Sequence, residues 1–142
     1  MKKILALTLA LALCLACGCA APSKSDENAS PSIELYFKQK TVTTSTESAT
    51  LVIINNTQTA YSYDYSQHLE KLNGDSWESV PLANEAVAGA LLWLGAGETQ
   101  EISFDFASHY AFPLERGSYR VLKSFASESG EVVEAVCLFD IL

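Results

Sequence analysis

Apolar and polar residues alternate along most of the chain after Ile33. Ile33, Leu35 and Phe37 alternate with Glu34, Tyr36 and Lys38, which predicts a half-buried strand. Ile102, Phe104 and Phe106 alternate with Glu101, Ser103 and Asp105 in the clearest strand pattern of the chain. Val133, Ala135, Cys137, Phe139 and Ile141 predict the inward face of a final strand. Leu51-Val52-Ile53-Ile54 is a short apolar run, ended by Asn55-Asn56, and suits a central strand. Thr41 to Thr50, rich in Thr and Ser, reads as edge strand or loop. Tyr61, Tyr63 and Tyr65 share one face of the next extended segment. Leu69 to Leu72 runs into Asn73-Gly74, a two-residue hairpin signal, and Ser76 to Val80 forms the return arm before Pro81. Ala86 to Ala90 has the character of a helical turn, which Gly89 and its short length oppose. Leu91 to Leu94 is strand-like, and Gly95-Ala96-Gly97 is a turn.

The stretch Leu114-Glu115-Arg116-Gly117-Ser118-Tyr119 gives this pattern an architecture. Leu114 plugs the bottom of a core, Gly117 permits a positive φ, and Tyr119 enters the next strand with its hydroxyl turned back on the corner backbone. This is a tyrosine corner. Seven to eight short strands in about 110 residues, with no committed helix, predict an all-β chain: an immunoglobulin-like Greek-key β-sandwich. The cysteine that antibody domains carry two residues after the corner tyrosine is replaced by Val121, and Ile53 is a plausible facing residue. Such a domain relies on apolar packing, for which Trp77, Trp93 and the phenylalanines are the expected suppliers.

The first residues follow another logic. Lys2 and Lys3 precede the uncharged apolar run Ile4 to Ala16, which has the length and flanks of a secretory signal. A membrane span wants about 20 such residues. Leu15-Ala16-Cys17-Gly18-Cys19 resembles a bacterial lipoprotein lipobox, with Cys19 the best fit and Cys17 the runner-up. That resemblance implies a diacylglycerol thioether on Cys19 and cleavage before it. Two acyl chains then anchor the chain, at about 0.8 kcal/mol per buried CH₂. Ala20 to Ser32 has no aromatic or β-branched residue and reads as a flexible tether. The expected organisation is a signal peptide over 1–18, a lipidated cysteine and linker over 19–32, and the sandwich over 33–142.

Composition narrows the partners. The formal net charge is −8; without residues 1–18, and so without Lys2 and Lys3, 7 basic and 17 acidic residues remain. An acidic domain repels phosphate backbones, so no nucleic-acid partner is expected. Cys137 alone belongs to the folded part, which precludes an intradomain disulfide and suits an inert core thiol.

Chemistry is scarce. Gly74-Asp75-Ser76 has the letters of an esterase nucleophile block but the context of a hairpin turn. His68 and His109 are too few and too far apart to read as a zinc site, and no phosphate loop or His-Glu-x-x-His occurs. No catalytic residue, metal ligand or cofactor is expected, and the chain does not read as an enzyme. Possible binding residues are Tyr61, Tyr63, Tyr65, Trp93 and Arg120. Outward tyrosines make an aromatic strip for a sugar or peptide; alternation with Ser62 and Asp64 instead places them inside. Ala83 to Gly97, carrying Trp93, is either an exposed contact surface or the closure of one end by Leu92 or Trp93. Arg120 and Lys123 suit an anionic ligand or pairing with nearby carboxylates.

Taken as a set, several pieces resemble a bacterial Ig-like domain of small Gram-positive lipoproteins. They are Asn55-Asn56-Thr57, Leu69-Glu70-Lys71-Leu72, Trp77-Glu78-Ser79-Val80-Pro81, Gly97-Glu98, His109-Tyr110, Gly117-Ser118-Tyr119-Arg120-Val121 and Lys123. The resemblance spans Ile33 to Leu142; it departs at Ala96, where the family usually has proline. It implies the sandwich and an extracytoplasmic location, and brings no catalytic residues. The expectation is therefore a membrane-anchored, non-enzymatic binding or structural module of the cell envelope, with an envelope protein or glycan as partner. The alternatives are a proteinase-inhibitor-like sandwich acting through its end loops and a carbohydrate-binding module.

Overall fold

The computed structural model describes residues 32–84 and 89–142. The expected signal peptide, Cys17, Cys19, the expected tether up to Pro31 and most of the expected Ala86–Ala90 turn lie outside those residues. Nine strands and one helical turn follow in order: β1 (Ile33–Phe37), β2 (Ser48–Asn55), β3 (Tyr61–Tyr63), β4 (His68–Asn73), β5 (Ser76–Ser79), β6 (Leu92–Leu94), β7 (Thr99–Asp105), α1 (Phe106–His109), β8 (Gly117–Ser127) and β9 (Val132–Ile141).

They form two antiparallel sheets. The smaller has the order β1-β2-β7. The larger is built on β8, which pairs with β9 along ten residues of one edge. On its other edge β4 pairs with Arg120 and its neighbours, and β3 with Ala126 and Ser127, so β3 and β4 lie end to end. β5 extends the sheet beyond β4, and β6 beyond β3. The Thr-rich segment after β1 crosses between the sheets. Val42 bridges Ile141 in parallel, and the Leu142 amide donates to the Val42 carbonyl at 3.0 Å.

The alternating residues meet between the sheets. Leu35, Leu51, Ile53, Phe104, Phe106, Tyr119, Val121, Phe125 and Ile141 are buried in one cluster. Phe37 sits edge-on to Phe104 and Phe139, with ring centroids 5.6 and 4.8 Å apart. Cys137 is buried there as a free thiol, and burial pushes its pKa up. The two tryptophans are absent from this core. Trp93 is 53% exposed, and Trp77 lies half-buried under Arg120. Both stand on strands at the margin of the larger sheet, facing away from the smaller one, so phenylalanine and tyrosine supply the aromatic packing.

At the corner, the Tyr119 hydroxyl donates to the Glu115 carbonyl at 2.8 Å. Leu114 is buried beside it, and Gly117 has φ +148°. A Cβ on Gly117 would sit 3.3 Å from Lys71 Cε, so backbone conformation and space both favour glycine. The hairpin turn falls one residue later than its sequence signal. Asn73 pairs with Ser76, which leaves Gly74, at φ +61°, and Asp75 as the loop.

Candidate functional site

The outer face of the larger sheet carries the apolar surface that the core does not use. Trp93, Ser62, Ala126 and Val132 line up in one row across β6, β3, β8 and β9. His68, Leu122 and Val136 form another. Ser79, Glu70, Arg120 and Leu138 form a third. Val132 and Leu138 are each 69% exposed. At the third row Arg120 Nε donates to Glu70 Oε2 at 2.5 Å, and the guanidinium lies 4.7 Å above the Trp77 ring. The Arg120 bond holds the Glu70 carboxyl below the usual carboxylate range. No ion pair to Glu134 occurs among the described residues.

A break in the strand facing β8 makes a groove in this face. Five residues, Tyr63 to Gln67, span the stretch where β8 advances only from Phe125 to Lys123. The surplus bows the chain away from β8. The resulting shallow groove, of about 780 Å³, is lined by Ser62, Asp64, Ser66, His68, Ser124 and Glu134, among others.

Lys123 closes the groove from beneath. It sits on the inward face of β8, only 5% exposed, and its Nζ donates to the carbonyls of Asp64 at 3.0 Å and Ser66 at 2.9 Å. The ammonium lies 5.3 Å above the Tyr63 ring. Burial pushes its pKa down to about 8, against the opposing charge of Asp64. Asp64 itself is held low by hydrogen bonds from Ser66. The far end of the bow is fixed by Gln67. Its carbonyl accepts from the Tyr110 hydroxyl at 2.7 Å, and its carboxamide lies along the open edge of β7.

The five candidate binding residues separate. Tyr61 and Tyr63 point inward, with hydroxyls donating to Glu131 at 3.3 Å and Gln100 at 2.6 Å. Desolvation pushes the Tyr63 pKa up to about 12. Tyr65 does not follow them. The strand ends at Tyr63, and Tyr65 is 50% exposed on the bow. The three tyrosines therefore do not form one face. Trp93 and Arg120 belong to the outer face. Lys123 and Arg120 lie on opposite faces of β8 because the positions differ by an odd number, so they do not form a joint anion site. His68 Nε2 lies 3.3 Å from Glu70, and His109 Nδ1 lies 3.0 Å from the Asp105 carbonyl. No group of three potential metal ligands occurs among the described residues. The surface residues not singled out from the sequence are Ser62, Ser124, Val132, Glu134, Val136 and Leu138. For Val132, Val136 and Leu138 the signal was present in β9, where apolar residues fall on both faces although only one can face the core.

Residues 29–136 match a family model described as a bacterial Ig-like domain. The chain belongs to that family. No curated protein matches it. Solved structures with a similar fold include a structural-genomics target designated SoR45, 17% identical over 77% of this chain and 81% of that one, with a TM-score of 0.45. A Bordetella pertussis protein designated ApaA is 19% identical over 80% and 87% of the two chains, with a TM-score of 0.40. The sporulation control protein Spo0M of Bacillus subtilis is 12% identical over 78% of this chain and 48% of that one, also with a TM-score of 0.40. At such identities and scores these likenesses carry no argument about function. The Ig-like domain accounts for the two-sheet sandwich.

Proposed function

We propose that this protein is an extracytoplasmic lipoprotein, tethered to the bacterial membrane through Cys19. Its Ig-like domain serves as a non-enzymatic module that binds a protein of the cell envelope. Family membership and the lipobox-like Leu15 to Cys19 support the location. The observation that carries the binding surface is the apolar strip Val132, Val136, Leu138 and Trp93 on the outer face of the larger sheet. At one end Leu138 stands beside Arg120, which covers the Trp77 ring, and Arg and Trp are enriched where protein interfaces hold their binding energy. The strip is mostly aliphatic. This suits a protein surface better than a sugar ring, which stacks on aromatic planes: Tyr61 and Tyr63 are turned inward, and Trp93 is the strip's single aromatic ring.

The test is photocross-linking in intact cells that produce the full chain. A photoreactive residue replaces Val136 in one strain and Tyr36, on the outer face of the smaller sheet, in another. One discrete protein adduct from position 136 and none from position 36 is the expected result. Equal adducts from both positions, or none from 136, would overturn this reading.

A further inference from the structure

The floor of the groove holds a peptide unit that the sheet does not pair. Along an antiparallel strand, successive residues direct their N–H and C=O to opposite edges. The Ser127 amide donates to Glu131, on the β9 side, at 2.9 Å. The Ala126 carbonyl accepts from Ser62 Oγ, on the β3 side, at 3.1 Å. The β8–β9 register runs without interruption through this stretch, so Ser124 has the same orientation as Ala126. Its N–H and C=O both face the gap between β3 and β4. The ladders stop on either side of it, at Ala126 and at Leu122. The carbonyls of Asp64 and Ser66, in the segment that spans the gap, accept from Lys123. No hydrogen bond from the described residues reaches the Ser124 peptide on that side.

We propose that this gap receives the side-chain carboxamide of an asparagine or glutamine belonging to the protein that docks on the outer face; the proposal rests on the reading of that face as a protein-binding surface. A residue in extended conformation presents its N–H and C=O side by side. A primary carboxamide answers with a C=O and a syn N–H on one edge. A single trans secondary amide directs these groups to opposite sides and meets only one of them; an extended backbone residue presents both, but β3 and β4 occupy this edge on either side of the gap and bar a further strand. An ammonium has no acceptor for the Ser124 N–H. A carboxylate has no donor for the Ser124 C=O, and Asp64, Glu70 and Glu134 repel it.

A carboxamide already meets a strand edge elsewhere in the molecule, there straddling Phe104 rather than pairing with one residue's own N–H and C=O. Gln67 Nε2 donates to the Ser103 carbonyl at 3.1 Å, and its Oε1 accepts from the Asp105 amide at 3.1 Å. A carboxamide thus stands in for a missing strand on the edge of β7. The surroundings of the gap define the rest of the partner. The rows through Leu122 and Ala126 flank Ser124 and place His68 and Ser62 next to the gap, so the carboxamide arrives among polar as well as apolar side chains. Glu134 stands opposite Ser124 in the register and calls for a lysine or arginine beside it.

The full ¹⁵N-labelled chain in detergent micelles, titrated with a synthetic peptide, tests this. The probe is acetyl-Lys-Val-Thr-Gln-Thr-Val-Lys-amide. Two further peptides carry glutamate or Nε,Nε-dimethylglutamine at the central position. The glutamine peptide is expected to shift the Ser124 amide proton downfield to saturation. The other two should bind at least about tenfold more weakly, because each leaves one Ser124 group unpaired. Equal binding by the three peptides, or no shift at Ser124 with millimolar glutamine peptide, would overturn the carboxamide site. The adduct from position 136 tests the face independently, so the two failures are separable.

Discussion

Lys123 Nζ donates to the Ser66 carbonyl at 2.9 Å from inside the sandwich. A core-facing position on a central strand thereby fixes a loop on the opposite side of a groove. The arrangement costs desolvation of an ammonium and returns two charge-assisted hydrogen bonds and a contact with the Tyr63 ring. Its location shows why it persists: the bow leaves carbonyls that have no strand to face.

Lys123→Met keeps the apolar stem and removes the donors. The carbonyls of Asp64 and Ser66 then depend on water, and the net loss of stability at pH 7 should be about 1–2 kcal/mol. Hydrogen exchange should quicken at residues 64–67 before it does elsewhere. Unchanged exchange there would show that the lysine does not hold the segment.

The pH dependence has a definite sign. Lys123 is lowered from 10.5 to about 8 in the folded protein, so between these values the unfolded chain binds more protons. Stability therefore rises with pH through that window, and the burial penalty is fully present below pH 8. The gain relative to Lys123→Met is at most about 3 kcal/mol, since the carbonyl bonds favour the charged form. Tyr63 and Tyr110 act oppositely above pH 10, where unfolded tyrosines ionise first. Denaturant titrations of both proteins from pH 7 to 10 should diverge. Parallel curves would place the Lys123 pKa near its ordinary value.

Tyr119→Phe removes the bond across the corner to Glu115 and little else. A loss of about 1 kcal/mol is expected, measured by urea denaturation with an unchanged m-value. No loss would mean that apolar packing of the ring alone sets the corner.

Glu70→Gln tests the ion pair on the outer face. The Glu70 carboxyl is held below 4.5, chiefly by Arg120, so the pair stabilises above that value and is lost as pH falls through the lowered one. The native protein should lose its advantage over Glu70→Gln on acidification below about pH 4.5, by less than about 1 kcal/mol because the pair is partly solvated. An advantage that survives at pH 2 would assign the effect to packing against Trp77.

Cys19→Ala should abolish metabolic lipid labelling and release the protein from membranes. Labelling that persists would move the anchor to Cys17.

The local pattern carried much of the architecture. Period-two alternation marked β1, β7 and β9, because the side of a strand that faces the core must be apolar whatever the neighbour. The Asn73-Gly74 signal marked the β4–β5 hairpin through backbone preference, though pairing settled the turn one residue on. The crossing of the Thr-rich segment to β9 was not legible, since Thr and Ser suit an edge strand and a loop equally.

The sequence by itself determined that the chain is all-β, that it has two-sheet size, and which side chains share a strand face. These properties depend on residues two apart. Only the tertiary structure decided which faces are covered. Tyr61 and Tyr63 are buried while Tyr65 is not, because the register against β8 breaks after Ser62 and the strand itself ends at Tyr63. Trp93 lies on the surface because its strand pairs at the margin of the sheet with the indole directed away from the core. Lys123 reads as a surface cation in sequence and is a core residue in space, because its partners are backbone carbonyls that no side-chain pattern records.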